Sequence, residues 1–338
     1  MTMINPFTSD AFRLISLTRA INILPNQYGR LNEMNLMPGR GVTTRSIMVE
    51  EQAGVLNLLQ TQPVGSPGTV DKRPRRTVRS FVVPHIPHDD VILPDEYNGI
   101  RAFGTENAVD TLSLVMNQHL QRMRNKHAIT LENLRMGALK GIIQDADGST
   151  LYNLYDEFNI VQHTQAMSLS TSTTNVSALC RNVVRWIEDH LLGEIMTGVY
   201  CLCSPEFFDD LIEHSNVEKF FLNYAQAAQL TGQTSDPRKG FTFGGITFEE
   251  YRGFATDAAG NVRRFIAAGE AHCFPLGTSS AFETIFAPAD FVETANTIGL
   301  ELYAKQEPRE FGRGVDIHTQ SNPLPICNRP GLLVKLTA

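Results

Sequence analysis

Apolar residues recur every three or four positions over a long stretch in the first half of the chain. The positions that share this spacing are Val109, Leu112, Met116, Leu120, Met123, His127, Leu131, Leu134 and Ala138. Their mean step is close to the helical repeat, so they predict one face of a continuous α-helix of about eight turns. Because this apolar stripe is narrow and the other faces are polar, the pattern predicts a strut lying across a sheet.

Three further helices are predicted from spacing and end signals. Near the N-terminus, Leu14, Leu17, Ile21 and Leu24 share one side, and Pro25 ends the helix because a residue before proline leaves helical dihedrals. A second helix is expected over about residues 176–192, before a glycine. In the third, "SPEFFDDLIEH", serine is placed to cap the helix and proline to occupy its first position.

Strands are predicted between these helices. "TTRSIMVEE" and "TVRSFVVP" are rich in β-formers, and the polar segment "QTQPVGSPGTVDKRP" between them predicts a long hairpin whose tip projects. A second hairpin is expected over residues 141–158, with both arms extended around Asp147-Gly148. "FTFGGITFEEY" predicts a hairpin or a bent strand and "VRRFIAAGEAHCFP" one strand, while the C-terminus is expected to form short strands broken by prolines. Scattered strands with segregated helices indicate the α+β class.

Composition limits the class of protein. A chain of 338 residues predicts about two domains, and a formal net charge of -7 argues against a protein that coats nucleic acid over its whole surface. We expect no secretory signal, since "MTMINPFTSDAFRLISLTRA" lacks the usual basic start and apolar block. The five cysteines are expected to be reduced and buried.

Candidate chemistry is weak throughout the chain. "DADG" at residues 145–148 resembles the start of a calcium loop but lacks the later ligands, so a plain turn is expected. "HIPHDD" at residues 85–90 is expected to be a solvated strand end, and Cys201, Cys203 and Cys273 are expected to be core residues, not zinc ligands. His127 is expected to be a packed or boundary histidine and not a catalytic one. With no catalytic or nucleotide-binding motif, the sequence favours a structural or binding role and predicts no enzyme activity, cofactor or metal.

A strongly basic segment stands out against the acidic chain. Its charged residues are Lys72, Arg73, Arg75, Arg76 and Arg79, at the tip of the predicted long hairpin. A solvated loop, a nucleic-acid contact and a protein contact are all compatible with it, but nucleic-acid binding lacks neighbouring aromatic residues. We favour a contact with an acidic surface on another copy of the chain. The candidate acidic residues are Asp89, Asp90, Asp95, Glu96, Glu249 and Glu250.

Four sequence blocks resemble the lambda-type phage major capsid protein E family of tailed phages. They are "PFTSDAFRLISLTRAINILPNQYGRL", "VEEQAGVLNLLQTQPVGSPG", "TLENLRMGALKGIIQDADGSTLYNLYDEF" and "APADFVETANTIGLELYAKQEPREFGRGVDIHTQSNPLPICNRPGLLVKL". The resemblance covers essentially the whole chain, and the last block is the most specific. It implies the Hong Kong 97-type capsid fold.

The resemblance also implies a role for each region. Residues 1–38 would be an N-terminal arm, and residues 39–94 an extended loop lying over an adjacent subunit. Residues 95–192 would form a peripheral domain, with a spine helix at about 102–139 and the hairpin at 141–158. Residues 193–295 would be an axial domain, and residues 296–338 would return to the peripheral domain.

The function implied is a major capsid protein that self-assembles into hexamers and pentamers around double-stranded phage DNA. The expected partners are other copies of the chain, a separate scaffolding protein, a portal and DNA bound on the inner face without sequence specificity. The sequence leaves open whether a decoration protein also binds. The expected location is the virion, with assembly in the host cytoplasm and no membrane partner. The alternatives are an encapsulin-like compartment shell and a DNA-binding phage accessory protein.

Overall fold

The structure is a computed structural model that describes residues 14–23, 29–52, 76–97, 108–230, 236, 238–257 and 259–338. The described part of the chain contains eight α-helices and three short 3-10 turns. The α-helices are α1 (Leu14–Ile23), α2 (Arg30–Glu33), α3 (Pro94–Tyr97), α4 (Ala108–Lys140), α5 (Leu154–Phe158), α6 (Val176–His190), α7 (Pro205–Glu213) and α8 (Glu218–Leu230). The 3-10 turns are Val292–Thr294, Glu310–Gly312 and Pro330–Leu332.

Eighteen strands lie within the described residues, so mixed helix and strand content confirms the α+β prediction. They are β1 (Gly39–Gly41), β2 (Ser46–Gln52), β3 (Arg76–Val82), β4 (Ile86–Ile92), β5 (Ile142–Gln144), β6 (Thr150–Asn153), β7 (His163–Ala166), β8 (Gly198–Cys203), β9 (Lys239–Phe243), β10 (Ile246–Glu250), β11 (Phe254–Thr256), β12 (Val262–Arg264), β13 (Glu270–Leu276), β14 (Phe282–Phe286), β15 (Tyr303–Pro308), β16 (Val315–Ser321), β17 (Pro323–Cys327) and β18 (Val334–Thr337).

The largest sheet has six strands in the order β7-β18-β13-β8-β10-β9. Its central strands β8 and β13 run antiparallel with Cys201 opposite Cys273, and both thiols are buried. Phe207 and Phe208 of α7 are fully buried in the same apolar core as this sheet. All five cysteines lie in the described part of the chain and are buried and unpaired, as expected from the sequence.

A smaller sheet, β15-β16-β4, supports the front half of α4. Leu17 and Ile21 of α1, together with Met116 and Leu120 of α4, form a second apolar core with Ile317 of β16. The predicted N-terminal helix is confirmed over Leu14–Ile23, because its apolar side seals this core, whereas Leu24 and Pro25 lie outside the described residues.

The long helix is confirmed as α4, 33 residues over Ala108–Lys140. The prediction of a narrow apolar stripe is wrong for its second half, where Arg124, Glu132 and Arg135, outside the stripe, are also buried. There α4 is enclosed by α2, β5, β13 and β17, so polar side chains on its other faces find partners inside the protein. The helix is therefore a central support of the fold and not only a strut on one surface.

The hairpin at residues 141–158 forms with β5 and β6, but its second arm is shorter than predicted. Residues 154–158 are α5, which begins where the Asn153 side chain accepts a hydrogen bond from the backbone N–H of Tyr155. Asp156 and Glu157 therefore lie on a helix. The "DADG" segment is a plain turn, as expected, in which Asp147 accepts hydrogen bonds from the backbone and hydroxyl of Ser149.

Two other strand predictions need correction. The segment predicted as one strand over 262–275 is divided into β12 and β13, because a turn intervenes after Arg264. Pro323 and Pro325 do not break the C-terminal strands but lie within β17. Strand β17 is at the edge of the sheet β1-β14-β17, where a residue without an N–H is tolerated.

The "HIPHDD" segment is also more than a solvated strand end. It runs into β4, which pairs along its whole length with β16. The six-stranded sheet combines strands from residues 163–166, 198–276 and 334–337. The division into arm, extended loop, peripheral and axial domains stays a prediction.

Candidate subunit-contact surface

The root of the long hairpin is a two-stranded ribbon of β2 and β3, paired antiparallel from Ser46–Val82 to Gln52–Arg76. Its side chains alternate between two faces, as strand geometry requires. On one face, Ile47 and Phe81 are buried in the main core. The Phe81 ring meets Tyr152 edge-on, with centroids 5.3 Å apart, and the Tyr152 hydroxyl exchanges hydrogen bonds with the backbone of Val82. This face fixes the ribbon to its own subunit.

The opposite face of the ribbon is open. Met48, Val78 and Val82 are 76%, 53% and 61% exposed. The register places Met48 opposite Ser80 and Ser46 opposite Val82, so these side chains share one side. The ribbon therefore presents an apolar surface on the side away from its own core.

A close backbone crossing fixes the base of the ribbon. The Gly299 N–H donates to the Val42 carbonyl at 2.9 Å, and Val42 donates to Phe286 at 2.9 Å. A Cβ atom at Gly41 would lie 2.3 Å from the Gly299 oxygen. Gly41, where the chain enters the hairpin, therefore has no room for a side chain.

The basic residues of the hairpin are only partly within the described residues. Lys72, Arg73 and Arg75 lie outside them, and Arg76 begins β3. The Arg79 Nε donates to the Glu157 carbonyl at 2.5 Å, and its guanidinium lies 4.6 Å from the centre of the Phe158 ring. Arg79 thus has partners within its own subunit. The contact of the basic residues with a neighbouring subunit stays a prediction.

Two of the candidate acidic residues lie on β4 and face different environments. Asp89 is largely exposed, with a hydrogen bond of 2.5 Å to the His318 ring. Asp90 is partly covered and lies 2.6 Å from Nδ1 of His119. The strand therefore directs one carboxylate outward and the next toward α4.

His119 of α4 joins three elements. Its Nδ1 faces Asp90 of β4, and its Nε2 lies 2.8 Å from Oε2 of Glu96 on α3. Ionised carboxylates accept hydrogen bonds, so the His119 ring lies between two acceptor groups. The ring is buried, and this arrangement ties β4 and α3 to the helix.

The pKa values of both carboxyl groups lie below their usual range. Burial opposes ionisation of Asp90, but the hydrogen bonds from His119 and from the Val91 N–H outweigh it and lower its pKa. For Glu96, the Leu93 N–H is the main cause of the lowered pKa, and His119 adds to it despite some burial. Asp95, the neighbouring acidic residue on α3, is exposed.

The last two acidic candidates, Glu249 and Glu250, have different partners. Glu249 is buried, and its carboxylate accepts hydrogen bonds from Arg30 and from the Tyr200 hydroxyl. Glu250 lies 3.5 Å from the Arg238 guanidinium and 3.8 Å from that of Arg252. Glu249 is thus engaged inside the subunit, whereas Asp89 and Asp95 remain accessible.

The remaining candidate chemistry concerns metal ligands and His127. In the part of the chain that the structure describes, no three His, Cys, Asp or Glu side chains are arranged to hold a metal ion. His127 is packed, as expected, with Nε2 3.0 Å from the Thr319 hydroxyl, and burial lowers its pKa to about 3. No helix among the described residues is both long and apolar enough to cross a bilayer.

Comparison with known proteins decides the family. The family model described as "Phage major capsid protein E" matches residues 14–338. The chain belongs to the phage major capsid protein E family. It is 32% identical to the major capsid protein of Pseudomonas phage KPP10, over 98% of each chain. It is 28% identical to the major capsid protein of Salmonella phage Felix O1 (isolate Felix O1-VT1), over 99% of each chain.

Solved structures agree on the fold. A prophage protein of E. coli CFT073, proposed to be a capsid protein, has a TM-score of 0.63 and 15% identity, covering 96% of this chain and 98% of that one. The capsid of Ralstonia phage GP4 has a TM-score of 0.52 and 11% identity, covering 93% and 90%. The fold is therefore the Hong Kong 97-type capsid fold expected from the resemblance, and the chain is a structural component of a phage capsid and virion. Membership of this family favours a phage shell over the alternative of an encapsulin-like compartment shell.

Sequence reasoning missed His119, Arg30 and Tyr200. A signal existed for His119: it lies three residues after Met116, so it interrupts the apolar stripe of α4 with a titratable group. Arg30 and Tyr200 carry no such local signal, since their partner Glu249 is distant in sequence.

Proposed function

We propose that copies of this chain assemble into hexamers and pentamers that form an icosahedral head around double-stranded DNA. The observation that carries the proposal is the match of the phage major capsid protein E family over residues 14–338, nearly the whole chain. The two related major capsid proteins align over 98% and 99% of their lengths, which supports a subunit with the same set of shell contacts.

In this proposal the hairpin of residues 39–94 is the extended loop that lies over an adjacent subunit. One face of its root is fixed to its own core through Phe81, while Met48, Val78 and Val82 on the other face are exposed. An apolar surface of this kind is stabilised when a second subunit removes it from water. Residues 1–38 act as the arm, 95–192 and 296–338 as the peripheral domain, and 193–295 as the axial domain.

The basic tip orients the loop on its neighbour. Lys72, Arg73, Arg75 and Arg76 supply the positive charge, and Asp89 and Asp95 are the accessible carboxylates among the acidic candidates. A single exposed ion pair contributes about 0–1 kcal/mol. Repeated through a shell, such pairs set register and partner choice.

The remaining features of the proposal concern partners. The chain acts as a structural protein without catalytic activity. A separate scaffolding protein and a portal are its other head partners, and DNA contacts the inner face without sequence specificity. Assembly takes place in the host cytoplasm.

Electron microscopy of the purified full-length protein tests this function. We expect shells or capsomers from the wild type and their loss in Arg73→Glu/Arg75→Glu/Arg76→Glu. The matched control is Arg181→Glu/Arg185→Glu/Arg252→Glu, which makes the same charge change at three exposed arginines outside the hairpin. The control variant should still form shells or capsomers.

Two results would contradict the proposal. Loss of assembly in both triple variants would show a general charge effect and not a role of the hairpin tip. A protein that stays monomeric under all conditions and binds DNA tightly, with affinity falling steeply as salt rises, would instead support the DNA-binding accessory protein.

A further inference from the structure

Lys126 of α4 and His88 of β4 share a hydrogen bond, with the lysine Nζ 3.1 Å from the ring Nε2. A lysine ammonium only donates hydrogen bonds, so Nε2 must act as the acceptor. The His88 ring is therefore neutral and carries its hydrogen on Nδ1. A second proton, on Nε2, would remove the acceptor and place two positive charges against each other.

The other histidine at this junction, His127 of α4, is also neutral. The Thr319 hydroxyl donates to the His88 carbonyl at 3.0 Å, because a carbonyl can only accept. The hydroxyl oxygen is then left to accept from Nε2 of His127, which lies 3.0 Å away. Burial lowers the pKa of His127 to about 3. Its ring, 6.2 Å from that of His88, therefore adds no charge at mildly acidic pH.

Burial and neighbouring charges decide how readily the His88 ring takes a proton. Burial is the main effect and lowers its pKa below the ordinary 6.5, and Lys126 on α4 acts in the same direction. Asp89 and Asp90 on its own strand act in the opposite direction, but both carboxylates are hydrogen-bonded to other histidine rings. On β16, the residue paired with His88 is the uncharged Thr319. At neutral pH the ring is thus free to accept from Lys126.

The contact lies close to the root of the long hairpin. Only residues 83–85 separate β3 from β4, and β4 is an edge strand of the sheet β15-β16-β4. An edge strand has a hydrogen-bonded neighbour on one side only, so side-chain contacts contribute more to holding it in place. The hydrogen bond between His88 and Lys126 is one of the contacts that bind this strand to α4.

We propose that His88 and Lys126 form a proton-operated joint, which holds β4 on α4 at neutral pH and loosens it at mildly acidic pH. A neutral ring accepts from the ammonium, whereas a protonated ring repels it. A histidine whose pKa is lowered by folding contributes stability that is lost as the pH falls below its ordinary value of 6.5. The joint belongs to the folded subunit and does not require assembly, so it can fail its tests while the proposed function holds, and the reverse.

Titration of the histidine rings by NMR tests the joint in the dissociated subunit. His88→Gln assigns the His88 resonance by its loss. We expect a midpoint below pH 6.5 for His88 in the wild type and a higher midpoint in Lys126→Gln, which keeps a donor at the contact but removes the charge. Lys219→Gln is the matched control, because it removes the charge of an exposed lysine on α8 and should leave the midpoint unchanged. A midpoint that Lys126→Gln does not raise would overturn the proposal.

Amide hydrogen exchange over residues 86–92 measures whether β4 itself is loosened. After correction for the intrinsic exchange rate, opening of β4 should increase from pH 8 to pH 5 about twofold to fivefold more in the wild type than in His88→Gln. The glutamine oxygen still accepts from Lys126 but does not titrate, so the variant keeps the contact at both pH values. An equal increase in the two proteins would overturn the joint.

Discussion

Glu249 of β10 accepts two hydrogen bonds from the guanidinium of Arg30, 2.8 Å from Nε and 2.9 Å from Nη2. The two residues are 219 positions apart in the chain. The Glu249 carboxylate is buried, and its hydrogen bond raises the pKa of Arg30 above the usual range for a guanidinium. This pair joins α2, which precedes the long hairpin, to the six-stranded sheet.

Breaking this pair from the acidic side should destabilise the subunit. Glu249→Gln keeps the shape of the side chain but leaves Arg30 with the exposed Glu33 as its remaining charged partner. Arg30 is about a third exposed, so we expect a loss of about 2–4 kcal/mol, somewhat less than for a fully buried pair. Urea unfolding of the dissociated subunit measures it. Glu33→Gln is the control, because Glu33 pairs with the same arginine but is 70% exposed, and its loss should cost less than about 1 kcal/mol.

The carboxyl groups bound to His119 should make the subunit sensitive to acid. The folded-state pKa values of Asp90 and Glu96 lie below the ordinary values of 3.8 and 4.5. A lowered pKa contributes stability above the ordinary value, and this stability is lost as the pH falls through the folded-state value. Stability should therefore decline below about pH 4.5, and the decline should be shallower in Asp90→Asn/Glu96→Gln. Parallel acid unfolding curves for the two proteins would contradict the assigned role.

His127 should affect the stability of the subunit at a higher pH than Asp90 and Glu96 do. Burial lowers its pKa from 6.5 to about 3, so the unfolded chain binds a proton at pH 5 while the folded chain does not. Stability from this group is therefore lost as the pH falls below 6.5, by about 2 kcal/mol between pH 7 and pH 5. His127→Gln should remove this part of the pH dependence. The measurement is the free energy of unfolding of both proteins at pH 7, 6 and 5, and an unchanged slope would count against it.

The crossing at the base of the hairpin allows a matched comparison of two glycines. A Cβ atom at Gly299 would lie 2.0 Å from the Phe286 oxygen, which is backbone and cannot move aside without distorting β14. Gly299→Ala should destabilise the subunit by more than about 2 kcal/mol, in the range of severe overpacking. At Gly198 no atom lies within 4 Å of the corresponding position, so Gly198→Ala should change stability by less than about 0.5 kcal/mol. Equal melting temperatures for the two variants would refute the close crossing.

Much of the fold was predictable because its signals are local. The spacing of apolar residues specified α4, and Ser204 followed by Pro205 specified the start of α7, where the serine oxygen accepts from the Phe207 N–H. The prediction failed where a neighbouring segment decides the outcome. Residues 154–158 form a helix, and Pro323 and Pro325 lie within a strand, because the edge of a sheet does not require their N–H groups.

The candidate subunit-contact surface also has features that the sequence predicted and contacts that only the tertiary structure showed. From the sequence by itself, local pattern predicted the hairpin and the charges predicted a basic tip, while the phage capsid family came from the resemblance of four sequence blocks to known capsid proteins. Only the tertiary structure decided that Arg79 binds its own subunit, that Glu249 is held by Arg30, and that His119 lies between Asp90 and Glu96. These relations depend on which distant segments are brought together and on what remains in contact with water. A carboxylate has the same chemistry wherever it stands in the sequence, and its burial and partners determine whether it binds inside the subunit or remains for a neighbour.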